Sequence, residues 1–389
     1  MDKIVRAGNL MRKGFACLDE YRYANALKIG RKLKRLRHSS AFEILALAYW
    51  RLDKLPMAIK VLEEGVTKAG HVWILWELLG NCYSDAGIFA KSERAYQKAL
   101  KLETCDQDVV HLNRAIAFNR AGKHAEAKSA LELVQSPQLR RQRDACRIRT
   151  ALALGDVRFA RRLALPLSKC RLTRTDTFDR KSESEILLSC ALALKCHPDT
   201  KGRALRLAYL AADEQPNNAE ALALIREIQL RKASCLVLFR LLVHGVWSGT
   251  IGNSSVPPGF FRTLEVAAAS QSAALRDAKR FFPMSVRKSL AIEEAIRRDG
   301  SSLSLTGVYY LSGYAFYPRR RKKRNSPSPK SPWRCCCWAR ANAARRPVAA
   351  DVRRIGAPKR GGMRPTNTQL GYGFPPGFGL RQSSAALAG

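Results

Sequence analysis

The alternation of apolar and polar positions is most regular over residues 73–106, where it predicts two helices joined by a short turn. Trp76, Leu79 and Tyr83 fall on one face of the first helix. Gly80 lies between them and is small enough to let a second helix cross closely. The second helix places three apolar residues at positions i, i+3 and i+4: Tyr96, Ala99 and Leu100. The segment therefore predicts a closely packed helix pair.

The same pattern recurs upstream and downstream at a nearly constant spacing. The upstream counterparts lie 34 residues earlier: Phe42, Leu45, Ala46, Tyr49 and Ala58. The downstream counterparts follow 35 residues later, and the last two positions recur after a further 33: Ala115, Phe118, Gly122, Ala127, Gly155 and Ala160. A weaker pair precedes them over 4–36, and a final pair over 185–195 and 202–214 follows a polar loop at 173–184. A helix over 219–232 is expected to cap the last apolar face.

The strongest repeat carries a recognisable signature. Residues 76–83 spell W-x-x-L-G-x-x-Y, which resembles the tetratricopeptide (TPR) repeat, and the 34-residue spacing equals the period of that family. The resemblance covers roughly residues 1–232 and implies a mainly α fold, an α-solenoid of antiparallel helix pairs. The chain departs from the family pattern at two positions, since Thr104 stands where a proline is usual and Ser92 replaces the common alanine.

The resemblance also implies where a partner would bind. In TPR proteins the first helices of successive pairs line a concave groove, and such a groove suits an extended peptide or a partner helix. The implied partner-binding residues are Glu43, Leu47, Trp50, Glu77, Asn81, Ser84, Leu112, Ile116 and Asn119. The alternative is that the aliphatic members of this set are core residues. Some TPR domains hold a C-terminal carboxylate with lysines and asparagines, but only Asn81 matches here, and Glu43 and Glu77 would repel a carboxylate.

Beyond residue 232 the pattern changes from helical to strand-like spacing. The predicted elements are strands over 236–247 and 260–268, a helix over 271–282, and strands over 286–294 and 307–316. This order, β-β-α-β-β, predicts a small α+β domain over 233–318 with a helix on one face of a sheet.

The residues of this second domain give no positive support for catalysis. Its polar candidates are His244, Glu265, Glu293, Glu294, Tyr309, Tyr310, Tyr314 and Tyr317. None of them falls in a motif that combines a nucleophile, a base and an orienting partner. Glu293 and Glu294 would point to opposite faces of a strand, so they do not form a paired-carboxylate site. We therefore expect neither enzyme activity nor a cofactor.

The cysteines and the apolar runs indicate the cellular compartment. Eleven cysteines occur, and most are scattered singly at apolar helical positions, as expected of buried free thiols in a reducing compartment. No C-x-x-C pair is present, so we expect no structural metal site. The first residues lack the apolar core of a signal peptide, and the best apolar run, 236–247, is too short to span a bilayer. These features predict a cytoplasmic protein.

The formal net charge of +37 adds a second functional hypothesis, because basic chains bind the phosphates of nucleic acids. Residues 301–389 hold 17 Lys and Arg against 1 acidic residue. From residue 319 the apolar periodicity is lost, so 319–389 is predicted to be a disordered basic tail. The chain is thus a protein-interaction scaffold or, alternatively, a nucleic-acid-binding protein that uses the tail and its basic helices. Two other interpretations of the tail are a nuclear-localisation run and GC-rich DNA translated in a shifted frame.

Deleting residues 319–389 should leave cooperative thermal unfolding intact, because this segment has no apolar pattern from which a core could form. Circular-dichroism melting curves of the full and shortened chains provide the measurement. If cooperative unfolding is lost, the segment is structural. If only nucleic-acid affinity is lost, the second hypothesis gains.

Overall fold

The computed structural model describes residues 2–169, 180–232, 236–247, 257–299 and 303–317. In these residues thirteen α-helices come first, and five strands and one more helix follow. The helices of the first part are α1 (Asp2–Asp19), α2 (Tyr23–Arg35), α3 (Ser40–Arg51), α4 (Leu55–Lys68), α5 (Trp73–Asp85), α6 (Phe89–Leu100), α7 (Gln107–Arg120), α8 (His124–Glu132), α9 (Arg140–Ala153), α10 (Val157–Leu167), α11 (Arg180–Leu194), α12 (Pro198–Glu214) and α13 (Ala219–Gln229). The later elements are β1 (Val237–Val246), β2 (Gly259–Ala268), α14 (Gln271–Lys279), β3 (Ala291–Asp299), β4 (Gly307–Leu311) and β5 (Ala315–Tyr317). The predicted tail, 319–389, lies outside the described residues.

Five successive helix pairs are joined by turns that contain a left-handed residue. These residues are Tyr21 (φ 59°), Asp53 (φ 57°), Gly87 (φ 74°), Gly122 (φ 74°) and Gly155 (φ 80°). Glycine adopts positive φ without a steric penalty, which explains why it occupies three of the five positions. Each of these turns takes only three residues, so the two helices of a pair run antiparallel.

The pairs stack along the chain, and each first helix from α3 to α11 contacts the first helix of the preceding pair. The strongest repeat shows what holds a pair together. A Cβ added at Gly80 would lie 2.6 Å from Cε1 of Tyr96, so only glycine allows this close crossing of α5 and α6. The Ser92 hydroxyl donates a hydrogen bond to the Gly80 carbonyl oxygen at 2.8 Å, which ties the two helices at the same point. The predicted TPR-like α-solenoid is confirmed.

The helix α11 begins at Arg180, inside the stretch that was expected to be a polar loop. Polar residues in its first turns are buried and find partners on neighbouring helices. Glu183 forms an ion pair with Arg141 at 3.2 Å, and the Ser184 hydroxyl donates to the carbonyl oxygen of Ala211 at 2.7 Å. A sequence without apolar periodicity is helical here because tertiary contacts satisfy its polar groups.

The strands form one antiparallel sheet in the order β3-β1-β2-β4, and β5 pairs with the opposite end of β2. In the central pair Leu241 lies opposite Leu264, and Val243 lies opposite Arg262. The helix α14 packs against β2 and β4. A small α+β arrangement therefore follows the solenoid, as the strand and helix patterns predicted.

The predicted start of the strand over 286–294 was wrong. Met284–Ser289 is a 3₁₀ turn, and the strand begins only at Ala291. The Arg287 Nε donates to the carbonyl oxygen of Phe282 at 2.9 Å, which closes the turn. Alternating side chains cannot distinguish such a turn from the end of a strand.

The predicted strand over 307–316 is interrupted after Leu311. The N–H of Thr263 donates to the hydroxyl of Ser312 at 2.9 Å, and Nε of the buried Arg262 donates to the Ser312 carbonyl oxygen at 2.9 Å. The Ser312 N–H still donates to the Thr263 carbonyl oxygen at 2.9 Å, but the return bond goes to the side chain, and two short strands, β4 and β5, form in place of one.

The sheet covers the end of the solenoid. Leu222 of α13 belongs to the same hydrophobic cluster as Leu241 and Leu264 of the sheet. The Arg226 guanidinium donates to the carbonyl oxygen of Val308 at 2.5 Å, which joins α13 to β4. The domain boundary at residue 232 stays a prediction, and the apolar core runs across it.

Gly80→Ala should lower the free energy of unfolding by about 1–3 kcal/mol, because the new Cβ would overlap the packed ring of Tyr96. Chemical denaturation provides the measurement. Gly8→Ala in α1 is the matched control: an added Cβ there meets nothing within 4 Å. We expect that control to keep or raise stability, by up to about 1 kcal/mol. Equal stability of Gly80→Ala and the unsubstituted chain would contradict the close crossing.

Candidate functional site

The residues that the TPR resemblance implies for partner binding lie on three adjacent helices, α3, α5 and α7. These are first helices of consecutive pairs, and they contact one another side by side. The structure therefore brings the implied residues together on one face of the solenoid. Which partner they contact, if any, stays a prediction.

Most of these side chains are buried within the chain. Trp50 is half-buried, and the buried members are Glu43, Leu47, Glu77, Asn81, Ser84, Leu112, Ile116 and Asn119. Neighbouring helices cover them, and their polar atoms bond mainly to other residues of the solenoid, such as Asn113, Arg120 and Thr150. The aliphatic members belong to the hydrophobic clusters of the solenoid.

Glu77 is the centre of one buried polar cluster. The side-chain amides of Asn81 and Asn113 both donate to its Oε1 at 2.5 Å. The hydroxyl of Tyr96 donates to Oδ1 of Asn81 at 2.7 Å. The carboxyl group of Glu77 thus joins α5 to α7, and Asn81 extends the network to α6. These bonds satisfy polar atoms that would otherwise destabilise the interior.

Burial raises the pKa of Glu77 to about 8, which outweighs the opposing hydrogen bonds from Asn81 and Asn113. The nearby carboxyl group of Glu43 on α3 raises the pKa further. Glu77 is therefore mainly protonated at neutral pH. Because it is neutral and sealed among helices, it serves the packing of the repeat and offers no charge to a ligand.

A second set of contacts joins the C-terminal ends of the same three helices. We call Trp50, Asp85 and Arg120 the end row; they are spaced 35 residues apart. The indole Nε1 of Trp50 donates to Oδ2 of Asp85 at 2.8 Å, and the Arg120 guanidinium pairs with the same carboxylate. Arg120 also donates to the hydroxyl of Ser84 at 3.2 Å. Burial raises the pKa of Asp85, and the neighbouring Arg120 opposes that rise.

Lys181, in the first turn of α11, lies close to the end row. Burial lowers the pKa of its ammonium group to about 8, and the positive charge of Arg51 on α3 lowers it further. The carboxylates of Asp85 and Glu185 oppose this shift. The curvature of the solenoid thus brings α11 near the end of α3, although the two helices are more than 120 residues apart in the chain. The result is a locally cationic surface beside a half-buried tryptophan.

Sequence reasoning missed three members of this site: Asp85, Arg120 and Lys181. The 35-residue spacing from Trp50 was a usable signal for the first two, because equivalent positions of successive repeats stack. Lys181 has no such signal. Its position depends on how far the solenoid turns between α3 and α11.

The polar candidates of the sheet include two charged pairs that join neighbouring strands. His244 Nε2 lies 3.7 Å from Glu293, and Arg240 pairs with Glu265 at 2.6 Å, as side chains of neighbouring strands commonly do. Within the described ranges, no group of three His, Cys, Asp or Glu side chains is placed to hold a metal ion. Among the helices that the structure describes, none is long and apolar enough to cross a bilayer.

No protein-family model matches this chain, and no curated protein matches it. Three solved structures illustrate its structural similarity. The Naa15/Naa10 complex bound to HypK-THB is 21% identical over 58% of this chain and 34% of that chain, with a TM-score of 0.31. The Cut9–Hcn1 hetero-tetramer of APC/C is 14% identical over 57% and 49%, with a TM-score of 0.44. A tetratricopeptide repeat protein from Parabacteroides merdae ATCC 43184 is 13% identical over 58% and 86%, with a TM-score of 0.42. The chain therefore spans about a third of the first of these structures and about half of the second.

Glu77→Gln should remove a pH dependence of stability. Between the ordinary pKa of 4.5 and the folded-state pKa of about 8, the unfolded chain releases the Glu77 proton and the folded chain keeps it. The stability of the unsubstituted chain therefore falls as pH rises through this window. The glutamine retains an oxygen that accepts from Asn81 and Asn113. It should stabilise the chain at pH 8 by on the order of a few kcal/mol and have little effect at pH 4.5.

Urea unfolding at both pH values measures this effect, with Glu126→Gln as the control for loss of one exposed carboxylate on α8. The same stability difference between Glu77→Gln and the unsubstituted chain at pH 4.5 and pH 8 would contradict a neutral buried Glu77.

Proposed function

We propose that this chain is a protein-interaction scaffold that binds a peptide or protein partner at the C-terminal ends of its first helices, around the end row. The observation that carries the proposal is the hydrogen-bonded row Trp50–Asp85–Arg120, which holds one aromatic side chain and two charged groups in fixed positions on rigid helices. The TPR-like fold supports the coarser statement that the chain is a scaffold for protein contacts.

Trp50 has the properties of a binding anchor. It is half-buried, and the hydrogen bond from its indole N–H to Asp85 fixes the orientation of the ring. A pre-ordered ring loses little conformational entropy when a partner covers it, which favours binding. Tryptophan is also among the residues that contribute most to binding energy at protein interfaces.

The charges near Trp50 favour an acidic partner segment. Arg51 is exposed, and Lys181 carries a cationic side chain on the opposing α11. Carboxylate groups on a partner would relieve the repulsion between these two cations, whereas a basic partner would add to it. Attraction of this kind mainly sets partner choice and association rate, while Trp50 supplies the apolar contact area.

We propose no enzyme activity for this chain. We place it in a reducing compartment. The thiols of Cys17, Cys82 and Cys146 are free and buried, as in proteins that remain reduced. A cytoplasmic scaffold accounts for this cysteine usage. A nucleic-acid-binding role is the second candidate, and a cluster of arginines between α9 and α10 favours it.

Trp50→Ala should weaken capture of the native partner by at least about tenfold, equivalent to about 1.4 kcal/mol, because the apolar anchor is removed. Quantitative pull-down from the native host with the full chain provides the measurement. Trp73→Ala is the matched control, since Trp73 is also a half-buried tryptophan but lies at the N-terminal end of α5, away from the end row. An equal loss of capture in both variants, or no loss in either, would show that the binding site lies away from the end row.

A photoreactive amino acid gives a second test that does not depend on stability. It is placed at the exposed Arg51 on the inner side and, as control, at the exposed Lys98 on the second helix α6. The partner captured in the pull-down should crosslink at position 51 and not at position 98. Crosslinking at position 98 alone would contradict the proposal.

A further inference from the structure

An open cleft lies between the start of α9, the loop that precedes it and the helix α10. Its cavity volume is about 390 Å³, within the range of small-ligand sites. The lining includes Ser136 and Pro137 from the loop, Arg140, Arg143 and Arg147 from α9, and Leu163 from α10. We call this the arginine cleft. It is separate from the end row, which lies at the C-terminal ends of α3, α5 and α7.

The three lining arginines are incompletely neutralised. They share one carboxylate, Asp144, at distances of 3.8 Å from Arg140, 3.5 Å from Arg143 and 3.8 Å from Arg147. All three distances are longer than a hydrogen bond, so each pairing is weak. Asp108 also lies nearby, but its carboxylate accepts from the backbone N–H groups of the loop at Gln135 and Ser136. The cleft therefore keeps an excess of positive charge.

The helix α10 adds one more guanidinium group beside the cleft. Arg162, which shares the ring of Phe159 with Arg147, forms no ion pair within the described part of the chain. The nearby Asp156 carboxylate caps α10 by accepting from the N–H of Phe159 at 2.9 Å. Within the two helices the basic residues are all arginine, which binds phosphate in a bidentate manner more readily than lysine does.

Phe159 orders two of these side chains. The guanidinium carbons of Arg147 and Arg162 each lie 5.3 Å from the centroid of its ring. A guanidinium held against an aromatic face keeps its N–H edge available for an anion. The ring therefore pre-orders donors from α9 and α10 on the same surface.

We propose that the arginine cleft binds the phosphate backbone of a nucleic acid. Arg140 and Arg147, with Arg143 between them, are seven positions apart on the helix, a rise of about 10 Å. A row of that length, continued by Arg162 of α10, exceeds what one phosphate group can contact. A polymer with a phosphate on every unit matches it, and release of its counterions provides the driving force.

The test measures binding of a labelled single-stranded RNA and of a duplex DNA of equal length to the full chain, by fluorescence anisotropy over a range of salt concentrations. The variant carries Arg140→Gln, Arg147→Gln and Arg162→Gln. Arg143 is kept, since its Nη1 donates to the carbonyl oxygen of Val134 and supports the loop. The matched control removes three exposed charges from α2: Lys28→Gln, Arg31→Gln and Lys32→Gln.

The two variants have the same net charge, so a difference between them reports position. We expect the cleft variant to lose at least tenfold in affinity relative to the control for one or both nucleic acids, and its slope of log affinity against log salt to fall by about 2. Which of the two probes loses more identifies the preferred form. Equal affinities and slopes in the two variants would overturn the proposal.

Two further arms keep the result interpretable. If the triple variant unfolds, the double variant of the exposed Arg140 and Arg162 takes its place, with Arg31→Gln and Lys32→Gln as its control. Polyglutamate of equal charge serves as competitor and should displace the RNA poorly. Displacement as efficient as by unlabelled RNA would assign the cleft to acidic protein segments and overturn the nucleic-acid assignment. Neither outcome bears on the partner site at Trp50.

Discussion

The close crossing of α5 and α6 is the contact on which the central repeats depend. Because Gly80 has no side chain, the ring of Tyr96 packs directly on α5, and its hydroxyl reaches Asn81. Asn81 in turn bonds to Glu77, which also accepts from Asn113 on the next first helix. The packing of one helix pair is thereby transmitted to the next pair through a chain of hydrogen bonds. The lack of a side chain at Gly80 therefore determines both the packing within one repeat and the contact with the next repeat.

The sequence was sufficient to predict the solenoid, because stacked equivalents must recur at the repeat period. It also assigned the residues implied for partner binding to the first helices of three pairs, which is where they lie, and their contact with a partner stays a prediction. It did not predict that Glu77 and Asn81 are sealed from solvent, because burial between adjacent first helices depends on the angle at which pairs stack. Lys181 was unpredictable for the same reason, since its neighbours come from distant repeats. The start of the strand at Ala291 was predicted wrongly, because the 3₁₀ turn before it has side-chain alternation that resembles a strand.

The two basic surfaces suit different kinds of ligand. At the end row, cations are few and are combined with a half-buried tryptophan, which favours a specific contact with a folded or extended protein segment. At the arginine cleft, many cations lie on an open surface with few carboxylates, which favours a ligand of high charge density and weak shape requirements. A scaffold with both surfaces could hold a protein and a nucleic acid at once, because α9 and α10 lie on a later repeat than α3 and α5.

The sheet gives the solenoid two unlike ends. Since the apolar face of α13 is covered by strands and Arg226 is bonded to β4, a further helix pair has no free surface on which to stack there. Repeat proteins commonly change length by gain or loss of whole units. In this molecule such a change at the covered end would require displacing the sheet, so variation in repeat number should be confined to the interior or to the side of α1. The two ends of the array therefore differ in whether a further repeat can be added, although the individual repeats are alike.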